Sequence, residues 1–213
     1  MDTKRLIIVA VGGQGNLLAS KVLEEAALLS DIPVRMSEIH GMAQRDIPVR
    51  MSEIHGMAQR GGVVESAILF GDAKSTIISD GEADILVSFE PSEALRALNK
   101  CNVNSVVITN LYPLPPFTVA IGKGVYPDPN IVQDLIRAKT AKLIAFDAVA
   151  LAKEAGNVLA VNMVLLGALI QTGVLPIPAE NVKKAITTRT GKSFAESNLK
   201  AFELGFSAAA KAK

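Results

Sequence analysis

Short apolar runs bounded by glycine, proline and polar turns fill the first three quarters of the chain, and helical periodicity takes over after residue 157. Leu6–Val11 predicts a strand that ends in Gly12-Gly13-Gln14-Gly15. Leu18, Val22 and Leu29 then fall at helical spacing, with Lys21, Glu24 and Glu25 on other faces. Strand, glycine turn and helix are the opening of a doubly wound sheet. Val63–Phe70, Ile85–Phe89, Ser105–Asn110 and Lys142–Phe146 read as further strands. Helices are expected at Glu93–Asn99, Ile131–Ala138 and Ala148–Ala155. Pro113, Pro115, Pro116 and Pro127 make Tyr112–Asp128 a loop, with room for a short edge strand at Phe117–Ile121. Val158–Thr172, Ala179–Thr187 and Phe194–Lys211 are helical patterns. The expected fold is α/β, a doubly wound, mostly parallel, Rossmann-like sheet with a helical C-terminal layer. No Ser/Gly linker interrupts it, so residues 1–213 read as one domain, 1–156 forming the sheet part and 157–213 the helical part.

Asp31–Arg45 reads DIPVRMSEIHGMAQR, and Asp46–Arg60 repeats it letter for letter. A structural repeat drifts with age, so a perfect pair is a recent tandem duplication or an artefact of the sequence itself. His40 and His55 are therefore one residue represented twice. Either Pro33–Glu38 or Pro48–Glu53 can supply the second strand with the same side chains on the same faces, and register does not choose between them. The joins do. Using the second copy leaves the passage into Gly61, Gly62 and Val63–Phe70 intact and puts the spare residues after the first helix. A surface excursion there is cheap, since doubling a loop adds only ~0.6 kcal/mol. The second copy is thus expected in the sheet, and the first as an exposed loop or poorly ordered segment.

Composition narrows the function classes. Aromatics are 4% of residues and Trp is absent, so small aliphatic side chains must fill the core, as suits a sheet buried on both faces. A formal charge of +1 gives no electrostatic case for nucleic acid or an anionic membrane as partner. Cys101 is the single cysteine. It allows no intrachain disulfide, fits a reducing compartment, and cannot hold an iron–sulfur cluster, which normally takes four thiolates. The N-terminus runs into the first strand without a signal core, and the apolar run Val158–Ile170 is interrupted by Asn162 and falls short of the ~20 residues of a membrane span. A soluble, cytoplasmic protein is expected.

Two segments carry candidate chemistry. In Gly12, Gly13, Gln14 and Gly15, glycines between strand and helix let backbone N–H groups approach an anion at the positive helix N-terminus. The dinucleotide fingerprint G-x-G-x-x-G fails because Leu18 stands where its third glycine belongs. Glu38 or Glu53, closing strand two, is placed to receive a ribose hydroxyl; a tight turn that binds nothing is the plain alternative. The second segment, Ser52–Gly62, combines Glu53, His55, Gln59, Arg60, Gly61 and Gly62 at a strand's C-terminal end, where open α/β sheets hold ligands. Its alternative is a structural loop in which Glu53 pairs with Arg60. Thr190-Gly191-Lys192-Ser193 imitates the end of a phosphate loop, but Ile186 stands at its first glycine and a helix precedes it. It reads as a helix-to-helix turn with Ser193 as a possible N-cap. Gly71-Asp72 and Asp80-Gly81 are ordinary turns, and Asn162 reads as a polar anchor tying its helix to a neighbouring loop.

These residues resemble a known family. The strand into Val-Gly-Gly-Gln-Gly, the segment Ser52–Gly62 followed by Val64, Ser66 and Phe70-Gly71, the Glu90-Pro91 after a strand, and the closing Asn198–Gly205 are similar to the gamma-type subunits of 2-oxoacid:ferredoxin oxidoreductases. Their wording is nearest to the beta subunits of the indolepyruvate-using enzymes. The resemblance implies a subunit of an enzyme that oxidatively decarboxylates 2-oxo acids, transfers the acyl group to coenzyme A and reduces ferredoxin. It implies further that thiamine diphosphate, Mg and the iron–sulfur clusters sit on a larger partner subunit, with coenzyme A as co-substrate and no cofactor bound by this chain alone. His55 and Glu53, or His40 and Glu38, are then the candidates for proton transfer. Gly12, Gly13, Gln14, Gly15, Gln59, Arg60, Gly61 and Gly62 are the candidates for ligand or anion binding.

A free-standing dinucleotide-binding oxidoreductase and a non-catalytic assembly subunit are the competing readings. If the chain is a subunit of a 2-oxoacid:ferredoxin oxidoreductase, the isolated chain reduces no ferredoxin. Gln14, Gly15, Glu53, His55 and Arg60 (or Glu38, His40 and Arg45) then share one crevice at the strand C-termini.

Overall fold

The run Leu6–Ala10 is apolar throughout because the strand that carries it, β1 (Lys4–Val11), is buried on both sides. Leu6, Ile8 and Ala10 face one helical layer, and Ile7 and Val9 face the other. The computed structural model describes residues 2–40, 53–54, 63–115, 119, 122 and 124–212. After β1 come α1 (Asn16–Leu28), β2 (Val34–His40), β3 (Glu53–Ile54), β4 (Val63–Phe70), β5 (Ala83–Ser88), α2 (Pro91–Arg96) and β6 (Cys101–Asn110). Then follow α3 (Pro129–Lys139), β7 (Lys142–Phe146), α4 (Ala148–Glu154), α5 (Val161–Gln171), α6 (Ala179–Arg189) and α7 (Lys192–Lys211).

The sheet has the order β3-β2-β4-β1-β5-β6-β7. β4 alone runs against its neighbours, β1 and β2; the pairs β1–β5, β5–β6, β6–β7 and β2–β3 are parallel. Helices cover both faces, α1 and α4–α7 on one and α2 and α3 on the other. The expected Rossmann-like, mostly parallel sheet is therefore present, with one reversed strand.

Every residue of α5 from Val161 to Ile170 is buried, which explains its lack of a polar stripe. It packs on α7 through two glycines. A Cβ on Gly167 would lie 1.9 Å from the Phe202 carbonyl oxygen, and one on Gly205 1.8 Å from that of Val164. Only glycines let the two backbones approach this closely.

The expectation about the duplication is corrected. It is the first copy that supplies β2, pairing along its length with β4 from Val34↔Phe70 to His40↔Val64. Glu53–Ile54 of the second copy lies outside it, parallel, with Glu38↔Glu53 and Ile39↔Ile54; Val49–Ser52 is outside the described residues. The reason lies at the end of α1. Ser30, Asp31 and Ile32 hydrogen-bond back onto Ala27 and Leu28, Asp31 adopts φ 55°, and Ile32 is buried. Pro33 then accepts from Gly71 N at 2.7 Å as the strand begins. The first Asp-Ile-Pro is thus built into the helix terminus, and no slack is left there for fifteen further residues.

Two smaller expectations change. Of the proposed edge strand Phe117–Ile121 only Val119 is among the described residues, and its backbone is helical. The neighbouring prolines remove the donors a strand needs there. The N-cap of α7 is Gly191, so Ser193 lies inside the first turn. No helix among the described residues is long and apolar enough to cross a membrane.

Candidate functional site

The C-terminal ends of β1, β5, β6 and β7 meet at one edge of the sheet, and side-chain amides tie them together. Gly13 (φ 96°) and Gly15 (φ 84°) take the left-handed conformation that lets β1 turn at once into α1. Inside that turn the Gln14 carboxamide is spent on backbone. Its Oε1 accepts from Val11 N at 2.8 Å and its Nε2 donates to the Phe89 carbonyl at 3.4 Å. Asn110, ending β6 and 1% exposed, donates to the same carbonyl at 3.1 Å and accepts from Ala148 N at 3.0 Å. Four strand ends are thereby held in one geometry.

Glu90 fixes the wall beside them. Wholly buried, its carboxylate accepts from Ser92 N, the Ser92 hydroxyl and Glu93 N, capping α2. It also accepts from Leu114 N and from the Tyr126 hydroxyl. Burial and the adjacent Glu90 push the Tyr126 phenol well above its ordinary range, so Tyr126 stays a donor. The proline-rich segment is pinned at both ends by one acid.

These supports frame a crevice of about 640 Å³. Gly13, Gln14 and Gly15 form one end, and Tyr112, Leu114, Val158 and Leu159 supply apolar walls, while Lys153 stands exposed at the mouth. α1 begins at Gly15 without a side-chain cap and with no acid in its first turn, so its amides are free to meet an anion. Opposite, Asn162 Nδ2 donates to the Gly15 carbonyl at 3.3 Å, the anchor expected of it. The arrangement suits a ligand with an anionic group at the helix terminus and an apolar body along the walls.

Of the sequence candidates, Gly13, Gln14 and Gly15 line the crevice and Gly12 begins the turn. Glu38 sits on β2, 5% exposed, and accepts from the Ser66 hydroxyl at 3.5 Å; it does not line the crevice. His40 and Glu53 lie in β2 and β3, at the same edge of the sheet as the glycine turn, with their side chains outside the description. Arg45, His55, Gln59, Arg60, Gly61 and Gly62 are outside the described residues. Asn110, Tyr112, Leu114, Lys153 and Leu159 escaped the sequence reading. Asn110 alone carried a signal, as the polar residue closing an apolar strand at its C-terminal end.

The family model for pyruvate ferredoxin/flavodoxin oxidoreductases matches residues 5–52 and 45–208, and the chain belongs to that family. The two matches overlap at residues 45–52, across the junction of the two copies of the repeat. Among curated relatives, indolepyruvate oxidoreductase subunit IorB of Pyrococcus horikoshii is 39% identical, covering 98% of this chain and 97% of the relative. The subunit of the same name from Methanothermobacter thermautotrophicus is 37% identical, over 96% and 97%. The solved gamma subunit of a keto/oxoacid ferredoxin oxidoreductase from Geobacter sulfurreducens shares the fold at 24% identity and TM-score 0.65, covering 98% of this chain and 99% of that one. So does the 2-oxoglutarate:ferredoxin oxidoreductase of Magnetococcus marinus, solved with 2-oxoglutarate, coenzyme A and succinyl-CoA, at 18% identity and TM-score 0.69, over 100% of this chain and 32% of that one.

Proposed function

We propose that this chain is the smaller subunit of an indolepyruvate ferredoxin oxidoreductase and that its crevice is the face it contributes to the assembled active site. The observation that carries the reading is the 39% identity to an indolepyruvate oxidoreductase subunit along essentially the whole chain. The chemistry present fits a contributing rather than a self-sufficient role. One cysteine supplies one of the four thiolates a cluster takes, so electron transfer is assigned to a larger, thiamine- and cluster-bearing partner that passes electrons to ferredoxin. Thiamine diphosphate, when bound there with Mg, supplies the carbanion chemistry of decarboxylation.

This chain's own residues bind and orient. The first-turn amides of α1 and Lys153 offer positive potential for the anionic part of coenzyme A or of the oxo acid. Tyr112, Leu114 and Leu159 exclude water from the apolar part. Gln14 and Asn110 hold the floor in register by binding backbone. His55 with Glu53, or His40 with Glu38, are the residues of the repeated segment proposed for proton transfer.

The test is co-expression with a larger, cysteine-rich subunit. The assembled pair should reduce ferredoxin or a viologen with an aryl pyruvate and coenzyme A, and the isolated chain with added cofactors should not. Turnover by the isolated chain would sink the proposal.

A further inference from the structure

At the opposite end of β1 from the glycine turn, a cavity of about 410 Å³ lies against the loop between β4 and β5, and the proposed function does not use it. Arg5 of β1 and Leu69 of β4, partners in the antiparallel ladder, line it from the sheet. Asp72, Lys74, Ile77 and Glu82 line it from the loop. Arg5 is partly buried, and its guanidinium makes no hydrogen bond or ion pair among the described residues. Asp84 on β5 is spent on the Arg5 backbone instead, accepting from its N–H at 2.7 Å.

The charges in this cavity are of both signs and do not neutralise one another. The side chains of Asp72 and Lys74 make no hydrogen bond or ion pair among the described residues, and the Glu82 carboxylate accepts only from Ser79 N, at 2.9 Å. Two cations and two carboxylates thus face one space without pairing across it. An anion alone would meet Asp72 and Glu82, and an amine alone would meet Arg5 and Lys74. A ligand carrying both a carboxylate and an ammonium satisfies both sets. A guanidinium partly withdrawn from water binds a carboxylate through two parallel hydrogen bonds. Beside these groups Leu69 is buried while Ile77 is 75% exposed, so an apolar body laid against them removes further surface from water.

We propose that this cavity binds a free α-amino acid with an apolar side chain, its carboxylate on Arg5, its ammonium on Asp72 and Glu82, and its side chain against Leu69 and Ile77. The site does not depend on the assignment of the crevice, and its test needs no turnover. L-Leucine is titrated into the full-length chain at constant ionic strength while thermal unfolding is followed. The wild type should show a saturable rise in Tm. Isoamylamine, which lacks the carboxylate, and isocaproate, which lacks the ammonium, should each bind about threefold more weakly or worse. Glycine, which lacks the apolar side chain, should also bind more weakly than leucine. Arg5→Gln and Asp72→Asn should both weaken leucine. Asp72 is exposed and its side chain has no partner among the described residues, so Asp72→Asn should melt with the wild type in leucine-free buffer. It decides the outcome if Arg5→Gln fails to fold. Lys153→Gln, which alters only the crevice, should keep wild-type affinity for leucine. Absence of a saturable shift in the wild type overturns the proposal. So does binding of any of the three analogues as tightly as leucine, unchanged affinity in Asp72→Asn, or lost affinity in Lys153→Gln.

Discussion

Asn162 reaches from the first turn of α5 to the carbonyl of Gly15 at 3.3 Å, so the mouth of the crevice is set by a residue distant in sequence. Its Oδ1 also accepts from Met163 N at 3.0 Å, which orients the carboxamide. A Cβ on Gly15 would come within 2.7 Å of Asn162 Nδ2, and Gly15 has φ 84°. Gly15→Ala is therefore doubly disfavoured and should cost about 1–3 kcal/mol from backbone strain alone. Urea denaturation of the purified chain measures this. In the assembled enzyme the same variant should raise KM for the anionic ligand. Wild-type stability in Gly15→Ala would contradict the geometry.

The α5–α7 crossing is predicted to be less forgiving. At Gly167 and Gly205 the obstacle is backbone, which cannot swing aside. Gly167→Ala or Gly205→Ala should cost about 3 kcal/mol or more, at or beyond the upper end of ordinary overpacking. Far-UV circular dichroism melts of either variant should show a large drop in Tm or no folded protein.

Deleting residues 31–45 or 46–60 produces one and the same polypeptide, because the copies are identical. That shorter chain should fold with its strand in the place of β2. The connection from β2 to β4 would shrink from 41–62 to seven residues, a change worth about 1 kcal/mol in favour of the folded state from loop closure. Equal or higher Tm is the expected result. A deletion variant that fails to fold would show that the β3 pairing is required.

Cys101 is 1% exposed, and burial pushes its thiol up to about 11. Alkylation by iodoacetamide at pH 8 should therefore be slow in the native chain and fast in denaturant, since the thiolate is the nucleophile. The same shift bears on stability. The unfolded thiol ionises first as pH rises past about 9 and the folded one only near 11, so the chain should lose stability across that interval. Cys101→Ser titrated in parallel separates this contribution from that of other groups.

Much of the sheet was legible because its strands are unbroken apolar runs closed by turn residues: β4 and β7 occupy Val63–Phe70 and Lys142–Phe146, the bounds expected. The buried helix was legible from apolar residues on every face, with Asn162 as its exception. Strand direction was not, because alternation and burial are the same whichever way a strand runs. The crevice walls were also hidden. Tyr112 and Leu114 sit in a connection with no periodicity and Leu159 in the turn that leads into α5, and they converge only once β5 brings the ends of β1 and β6 to one edge of the sheet. Gln14 showed the converse limit: its position at the site was evident, but its bonds to Val11 and Phe89 depend on the path of two strands.

The reversed β4 has a consequence for how the family can change. Parallel neighbours force the chain to travel back along the whole sheet between strands, so the length of each such passage is set by the fold. β4 removes that requirement at one place. The chain leaves β2 at His40 beside Val64, adds the two residues of β3 at the outer edge, and enters β4 at Val63, beside Val11 at the end of β1. Departure and return are neighbours, and extra sequence inserted between them stretches nothing else. The sheet thus has a length-neutral port at the same edge as the glycine turn, where sequence can be added without disturbing the core.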